Sequence, residues 1–208
     1  MSELKPQLYE LFPTLIYHTP FLTKEECEMY IKCLDDVEKK SLPVVERPLY
    51  QTTFKLHLLN DTWKELSDRV IDVVNSVADH QHMIRDSFYH TNMWANIADG
   101  PGYFHQKHSH PNCFFSSIIY LRGNECSKTI FHDPRSQTKV LMPNYSVNSP
   151  YNTNAFRLPF VEGSIAFFPS WLEHNVLCEG NYNYDRITIT CNTMMHFEST
   201  IRTAYLKI

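Results

Sequence analysis

Apolar residues recur at helical spacing in residues 22–40, which predicts an amphipathic helix there. One face of this helix carries Cys27, Tyr30, Ile31 and Leu34. Thr23 is a suitable N-cap, with acidic residues following in the first turn. Lys39 and Lys40 are expected at the C-terminal end, because basic side chains interact favourably with the helix dipole there.

A second helix is predicted in residues 60–81, where Asn60 or Asp61 can act as the cap. Its apolar stripe consists of Trp63, Leu66, Val70, Val73 and Val74. Residues 7–21, ahead of both helices, have the pattern of a strand that enters the domain and is interrupted by Pro13.

After about residue 85 the pattern changes to short runs of β-branched and aromatic residues separated by turn residues. The predicted strands lie within 86–98, 114–121, 128–133, 155–161, 163–169 and 186–197. We therefore expect a mainly β fold with N-terminal helices (α+β), in which the helices pack against an antiparallel sandwich or barrel. A length of 208 residues suits a single domain over 1–208, with 1–84 as supporting helices and strand and 85–208 as the β core.

Composition and charge narrow the classes of function. The net charge of −4 and a pI near 6.2 make a nucleic-acid partner unlikely. Only 5 glycines argue against a glycine-rich nucleotide loop. The N-terminus lacks the pattern of a signal peptide, and no apolar run reaches the roughly 18 residues of a membrane span. The six cysteines form no CxxC pair, so reduced thiols and a cytoplasmic location are expected.

Histidines next to predicted strands are the first candidates for chemistry. His108 and His110 are two residues apart, so on an extended segment their side chains point to the same side and could chelate a divalent metal. His174, which follows a strand and a Pro-Ser-Trp turn, is the strongest candidate for a third ligand. On spacing alone, a solvated polar turn explains the His-x-His equally well.

The last predicted strand alternates between polar and apolar residues. Arg186, Thr188, Thr190 and Asn192 lie on one face, and Ile187, Ile189 and Cys191 lie on the other. If the polar face points into a barrel, Arg186 and Thr188 form a ready clamp for a carboxylate, because guanidinium pairs with carboxylate through two hydrogen bonds. If that face is solvated, the segment is an ordinary edge strand.

Taken together, these motifs resemble the Fe(II)/2-oxoglutarate-dependent oxygenase superfamily. The similarity is greatest to a subgroup of small bacterial and phage proteins with HxH…FPSWLxH…RIxI motifs. This chain has, in order, "MWANI", "HSHPNCFFSSIIYL", "IFHDPR", "FFPSWLEHNV" and "RITITCN", so the resemblance covers roughly residues 92–194. It implies a double-stranded β-helix (a jelly roll, cupin-like) and an oxidoreductase that uses Fe(II), 2-oxoglutarate and O2.

The resemblance also implies roles for individual residues. His108, His110 and His174 would be the iron ligands, although His110 stands where the wider superfamily usually has an acid. Asp133 is an alternative source of a carboxylate ligand; otherwise its Asp-Pro-Arg turn lines the pocket mouth or holds a loop through Arg135. Co-substrate contacts would come from Arg186, Thr188, Tyr120 and Asn96.

Three functions remain open on these grounds. The first is a hydroxylase that acts on a small-molecule or peptidyl substrate and releases succinate and CO2. The second is a three-histidine cupin-like metalloenzyme without 2-oxoglutarate, and the third is a catalytically silent binding module on the same fold. A homodimer is expected only because homodimers are common.

Three further features have expected positions. We expect His105 at the surface or on the substrate side of the pocket. Trp94 and Trp171 are expected in the core. The polar loop at 135–156 is long enough to serve as a lid over the substrate.

Overall fold

Both predicted helices are present. The computed structural model describes residues 7, 11–42, 49–98, 104–125, 127–135, 140, 143–147, 149, 151–177, 186–201 and 204–207. Helix α1 (Lys24–Cys33) begins with a capping box, in which the Thr23 side chain accepts from the backbone N–H of Glu26 and the Glu26 carboxylate accepts from that of Thr23. Helix α2 (Asp61–His80) is capped by Asn60, and a short 3-10 helix (Leu56–Leu58) precedes it.

Strands account for most of the remaining described residues. They are β1 (Tyr17–Pro20), β2 (Lys39–Ser41), β3 (Leu49–Thr52), β4 (Ser87–Ala98), β5 (Phe104–His108), β6 (Phe115–Arg122), β7 (Thr129–His132), β8 (Ala155–Leu158), β9 (Ser164–Pro169), β10 (His174–Leu177), β11 (Arg186–His196), β12 (Glu198–Ile201) and β13 (Ala204–Lys207). The strand pairs between them are antiparallel.

Two antiparallel sheets form the body of the fold. The larger has the order β1-β9-β6-β11-β4-β3-β2, and the smaller has the order β5-β10-β7-β8. One face of the larger sheet packs on both helices, with Trp63 fully buried in that core. The other face meets the smaller sheet through a second apolar cluster that includes Tyr120, Phe131 and Phe168. The predicted mainly β fold with N-terminal helices is therefore confirmed.

Strand β11 lies in the middle of the larger sheet, between β6 and β4. Its apolar residues Ile187, Ile189 and Cys191 join the core beside the helices. Its polar residues Thr188 and Thr190 line a pocket on the opposite face, between the two sheets. The predicted alternation is correct, and the edge-strand interpretation is wrong.

Several local predictions were wrong. Lys39 and Lys40 do not end α1; they lie in β2, because the helix already stops at Cys33. In residues 7–21, the described part forms a strand only at Tyr17–Pro20. Trp171 is not a core residue, since 55 % of it is exposed in the turn before β10.

The predictions about the cysteines, the lid loop and membrane spans can be compared with the described residues only. The cysteines it describes, Cys27, Cys33, Cys113 and Cys191, are free thiols. Residues 136–139, 141, 142, 148 and 150 of the predicted lid loop lie outside the described residues, so its role as a lid stays a prediction. Within the part of the chain that is described, no helix is both long and apolar enough to cross a membrane.

The half-buried imidazole of His90, on β4, makes stability depend on pH. Burial lowers its pKa from 6.5 to about 4. The Nε2–H donates to the Ser67 carbonyl at 3.2 Å, and the Thr193 hydroxyl donates to Nδ1 at 3.1 Å, so the ring is held neutral. Between pH 6.5 and 4 the unfolded chain therefore binds a proton that the folded chain does not. Stability is highest above the unfolded pKa and falls as the pH decreases through this window.

Replacing His90 by glutamine is expected to weaken this acid sensitivity. On lowering the pH from 7 to 5, the wild type should lose about 2 kcal/mol more unfolding free energy than His90→Gln, because glutamine does not titrate. Urea unfolding at the two pH values measures the difference. The histidines of the candidate site, His110 and His174, contribute equally to both proteins and cancel. Equal losses in the two proteins would contradict this role for His90.

Candidate active site

Three histidines converge at one end of the smaller sheet. His108 ends β5 and is paired in register with His174, which begins β10. His110 lies just beyond β5, where its backbone N–H donates to the Ser170 carbonyl at 2.9 Å. One nitrogen from each ring lies within 4.8 Å of the others, and this is the one such potential metal-binding group among the residues that the structure describes. The solvated-turn interpretation is therefore wrong for His110, which is buried.

A hydrogen bond fixes the tautomer of each of these rings. The Nδ1 atoms of His108 and His174 lie 2.7 Å from the Gln106 carbonyl and 3.0 Å from the Leu172 carbonyl, respectively. Because a carbonyl oxygen can only accept, each of these nitrogens carries the proton and donates it. A neutral imidazole has one N–H, so both Nε2 atoms present lone pairs.

The His110 ring is oriented from β11. Its Nδ1–H donates to the amide oxygen of Asn192 at 2.7 Å, and the Ser116 hydroxyl donates to the same oxygen at 3.1 Å. His110 Nε2 then faces His174 Nε2 at 3.3 Å with no proton between them. Two bare lone pairs at that distance repel each other unless a cation lies between them.

The histidine cluster fits a divalent metal ion. Nitrogens that occupy neighbouring positions on one metal at about 2.1 Å are about 3.0 Å apart, close to the spacing of His110 and His174. Burial lowers the pKa of His110 to about 4 and that of His174 to about 2, with smaller contributions from the neighbouring imidazoles. Both rings are therefore neutral at pH 7, the form in which histidine binds metals.

Arg186 is a buried cation in the same pocket. It is 5 % exposed, and its guanidinium donates to the Ser127 carbonyl at 3.1 Å and to the Thr188 hydroxyl at 3.3 Å. None of the salt bridges formed by the described residues involves Arg186. A buried charge without a counter-ion is costly, so the pocket is suited to an anionic ligand at this end.

Of the other predicted co-substrate residues, Thr188 and Asn96 line the pocket and Tyr120 does not. Thr188 lines it directly. Asn96 also lines it, but its amide is held in place by hydrogen bonds with Gln51, Trp94 and Thr190. Tyr120 is fully buried and does not line the pocket. Its hydroxyl is 2.8 Å from that of Thr129, and its ring centroid lies 5.8 Å from the Arg186 guanidinium carbon.

The pocket between the sheets is also lined by residues for which no site role was predicted, among them Trp94, Ile118 and Val176. Its lining residues are Trp94, Asn96, His105, His108, His110, Ile118, His174, Val176, Arg186, Thr188 and Thr190. Trp94 is buried as expected, and in addition it stacks on His110 with ring centroids 5.8 Å apart. Asn192, which orients His110, was missed, although the alternation of β11 had put it on the same face as Arg186.

Asp133 forms an ion pair with Arg135 and is not part of the histidine cluster. Its carboxylate accepts two hydrogen bonds from the Arg135 guanidinium, at 3.0 and 2.9 Å, and one from the Arg135 backbone N–H at 2.9 Å. It does not join the histidine cluster. Of the alternatives for the Asp-Pro-Arg turn, the loop-holding contact with Arg135 is therefore the one observed.

Comparisons with known proteins agree with this chemistry. A family model described as 2OG-Fe(II) oxygenase matches residues 92–192. Among curated proteins, none matches the chain.

Solved structures share the fold at low sequence identity. The non-heme alpha ketoglutarate dependent epimerase SnoN from nogalamycin biosynthesis is 12 % identical, with 87 % of this chain and 76 % of that chain covered and a TM-score of 0.66. HygX from Streptomyces hygroscopicus, solved with nickel and 2-oxoglutarate bound, is 13 % identical over 93 % of this chain and 92 % of its own (TM-score 0.60). A Pseudomonas putida prolyl-4-hydroxylase is 12 % identical over 88 % and 92 % (TM-score 0.57). The predicted jelly roll is confirmed by these similarities.

Proposed function

We propose that the chain is a 2OG-Fe(II) oxygenase that hydroxylates a C–H bond of its substrate, because the family model that matches residues 92–192 describes such enzymes, which use Fe(II), 2-oxoglutarate and O2. In the balanced reaction, substrate, 2-oxoglutarate and O2 give hydroxylated substrate, succinate and CO2. An iron ion held by His108, His110 and His174 would supply the oxidation chemistry.

The observation that carries the proposal is the pairing of two features in one pocket. One end has three imidazoles with their lone pairs directed inward, and the other has the buried guanidinium of Arg186, which has no ion-pair partner among the described residues. 2-Oxoglutarate has a chelating keto acid at one end and a carboxylate at the other, so it complements both features. His108, His110 and His174 would hold the metal, while Arg186 and Thr188 would bind the distal carboxylate.

The remaining residues would position these groups and exclude water. Asn192 and the carbonyls of Gln106 and Leu172 keep the three Nδ1 protons away from the metal side, so that each Nε2 can bind without a change of tautomer. Ile118 and Val176 give the pocket an apolar wall, which strengthens charge interactions inside it. Asn96 and Tyr120 would support the co-substrate end.

Succinate formation tests the proposal. The wild-type protein with Fe(II), ascorbate and 2-oxoglutarate should release succinate, and candidate substrates should accelerate the release. Both small molecules and peptides belong in the panel, because solved relatives include a HygX complex with hygromycin B and a viral collagen prolyl hydroxylase. Failure of the iron-loaded protein to bind 2-oxoglutarate, by calorimetry or by its visible charge-transfer band, would reject the proposal.

A three-histidine metalloenzyme without 2-oxoglutarate is the second candidate. It is favoured by His110, which stands at the position where the wider superfamily usually has a carboxylate. A site of three neutral histidines has one negative charge fewer than a site of two histidines and a carboxylate. The total charge of the metal, its ligands and a bound dianion would therefore differ from that in the usual 2-oxoglutarate enzymes. This candidate predicts metal-dependent turnover that is unchanged when 2-oxoglutarate is omitted. A silent binding module predicts neither tight metal binding nor turnover.

A further inference from the structure

We propose that His105 is a further co-substrate-binding residue, which donates a hydrogen bond to a carboxylate oxygen of 2-oxoglutarate and so positions it on the metal. This inference rests on the proposed function. It assigns His105 to the space between the histidine cluster and Arg186, rather than to the surface or to the substrate side.

A bulge in β5 brings His105 into the pocket. On a regular strand, residues three apart point to opposite faces, so His105 and His108 should diverge. Here His108 pairs with His174 while His105 pairs with Val176, so three steps along β5 match two steps along β10. The extra residue in β5 turns both histidines to the same side, and both line the pocket.

The position of the ring points to the co-substrate. The His105 ring lies against that of His108, with centroids 4.3 Å apart. Burial, and after it the charges of His108 and Arg186, lower the pKa of the His105 imidazole to about 3. His105 lines the same pocket as the three histidines and Arg186, so a ligand that reaches from the histidines to Arg186 shares this pocket with His105.

Both ring nitrogens of His105 are available to a ligand. Within the described residues the ring makes no hydrogen bond, in contrast to His108, His110 and His174. It is also not a member of the three-histidine group that could hold the metal. A neutral imidazole offers one N–H donor and one acceptor, and the donor matches a carboxylate oxygen.

Binding of 2-oxoglutarate to the Mn(II)-loaded protein tests the inference without turnover. His105→Phe keeps a flat ring but removes both nitrogens, so the Kd for 2-oxoglutarate should rise about 10-fold or more, as for loss of a hydrogen bond to a charged group. His105→Gln retains an N–H donor and should recover part of that loss. Calorimetry gives the Kd, and a separate Mn(II) titration without 2-oxoglutarate should give unchanged metal affinity.

His57→Phe is the matched control. His57 is also half-buried, and its Nδ1 also has no hydrogen-bond partner among the described residues, but it does not line the pocket. This control should bind 2-oxoglutarate like the wild type. If His105→Phe does not fold, His105→Ala replaces it in the same titrations.

The outcomes separate the inference from the function on which it rests. A wild type that does not bind 2-oxoglutarate rejects both. A wild type that binds it and a His105→Phe protein that binds it equally well reject the inference alone. Loss of Mn(II) affinity in His105→Phe would make His105 a metal ligand and would also overturn the inference.

Discussion

Replacing His174 by alanine is expected to abolish metal-dependent activity. His174 is 2 % exposed, and its Nε2 lies 3.3 Å from that of His110, so it is the most enclosed of the three candidate ligands. Changing a residue that merely orients a ligand typically weakens metal binding 10- to 100-fold, so loss of the ligand itself should cost about 100-fold or more. When iron is limiting, the rate of succinate release should fall by at least the same factor as the metal affinity.

The His174 variant must be separated from a folding defect. The ring packs against Phe168 and Phe131, with centroid distances of 4.7 and 5.8 Å, so alanine also leaves a cavity. His174→Gln fills more of that space and should lose metal binding with less destabilisation. Metal titration and thermal unfolding should be measured on both variants, with His57→Ala as a control outside the pocket. Wild-type metal affinity in either His174 variant would contradict its role as a ligand.

The second large effect is expected from Arg186→Ala. The guanidinium is buried and has no salt-bridge partner among the described residues, so a bound carboxylate would be its counter-ion. Truncating one partner of a buried charge pair costs about 2–5 kcal/mol, which corresponds to a rise of at least about 30-fold in the KM for 2-oxoglutarate. Metal affinity without co-substrate should stay close to that of the wild type.

Arg186 also discriminates between the candidate functions. Arg186→Lys keeps the positive charge but loses the two parallel hydrogen bonds that guanidinium can make with a carboxylate. Its KM for 2-oxoglutarate should therefore lie between those of the wild type and Arg186→Ala. Arg122→Ala is the matched control, because Arg122 also lies on a strand of the larger sheet but forms an exposed salt bridge with Glu28. Unchanged metal-dependent turnover in Arg186→Ala, with or without 2-oxoglutarate, would favour the three-histidine enzyme that acts on its substrate directly.

The sequence predicts those parts of the site that depend on regular strands and recurring motifs. Alternation along 186–192 placed Arg186 and Thr188 on one face, because this part of β11 lies in the centre of a sheet and pairs with β4 in continuous register. His174 was correctly expected at a strand end. The convergence of His108, His110 and His174 followed from motif order rather than from local pattern, since only the fold brings β10 beside β5.

Features that depend on irregular backbone or on partners far away in the chain could not be predicted. His105 enters the pocket through the β5 bulge, which breaks the period-two rule that sequence patterns assume. Asn192 was on the predicted polar face, but its hydrogen bond to His110 depends on how β11 meets the turn after β5. The short strands β2 and β3 were missed because three or four residues are too few to establish a period.

A structure of the protein with Mn(II) and 2-oxoglutarate bound under anaerobic conditions tests the central claim most directly. The claim predicts one metal ion coordinated by the Nε2 atoms of His108, His110 and His174, with the distal carboxylate of 2-oxoglutarate paired to Arg186. A metal bound by Asp133, or 2-oxoglutarate bound away from Arg186, would contradict it.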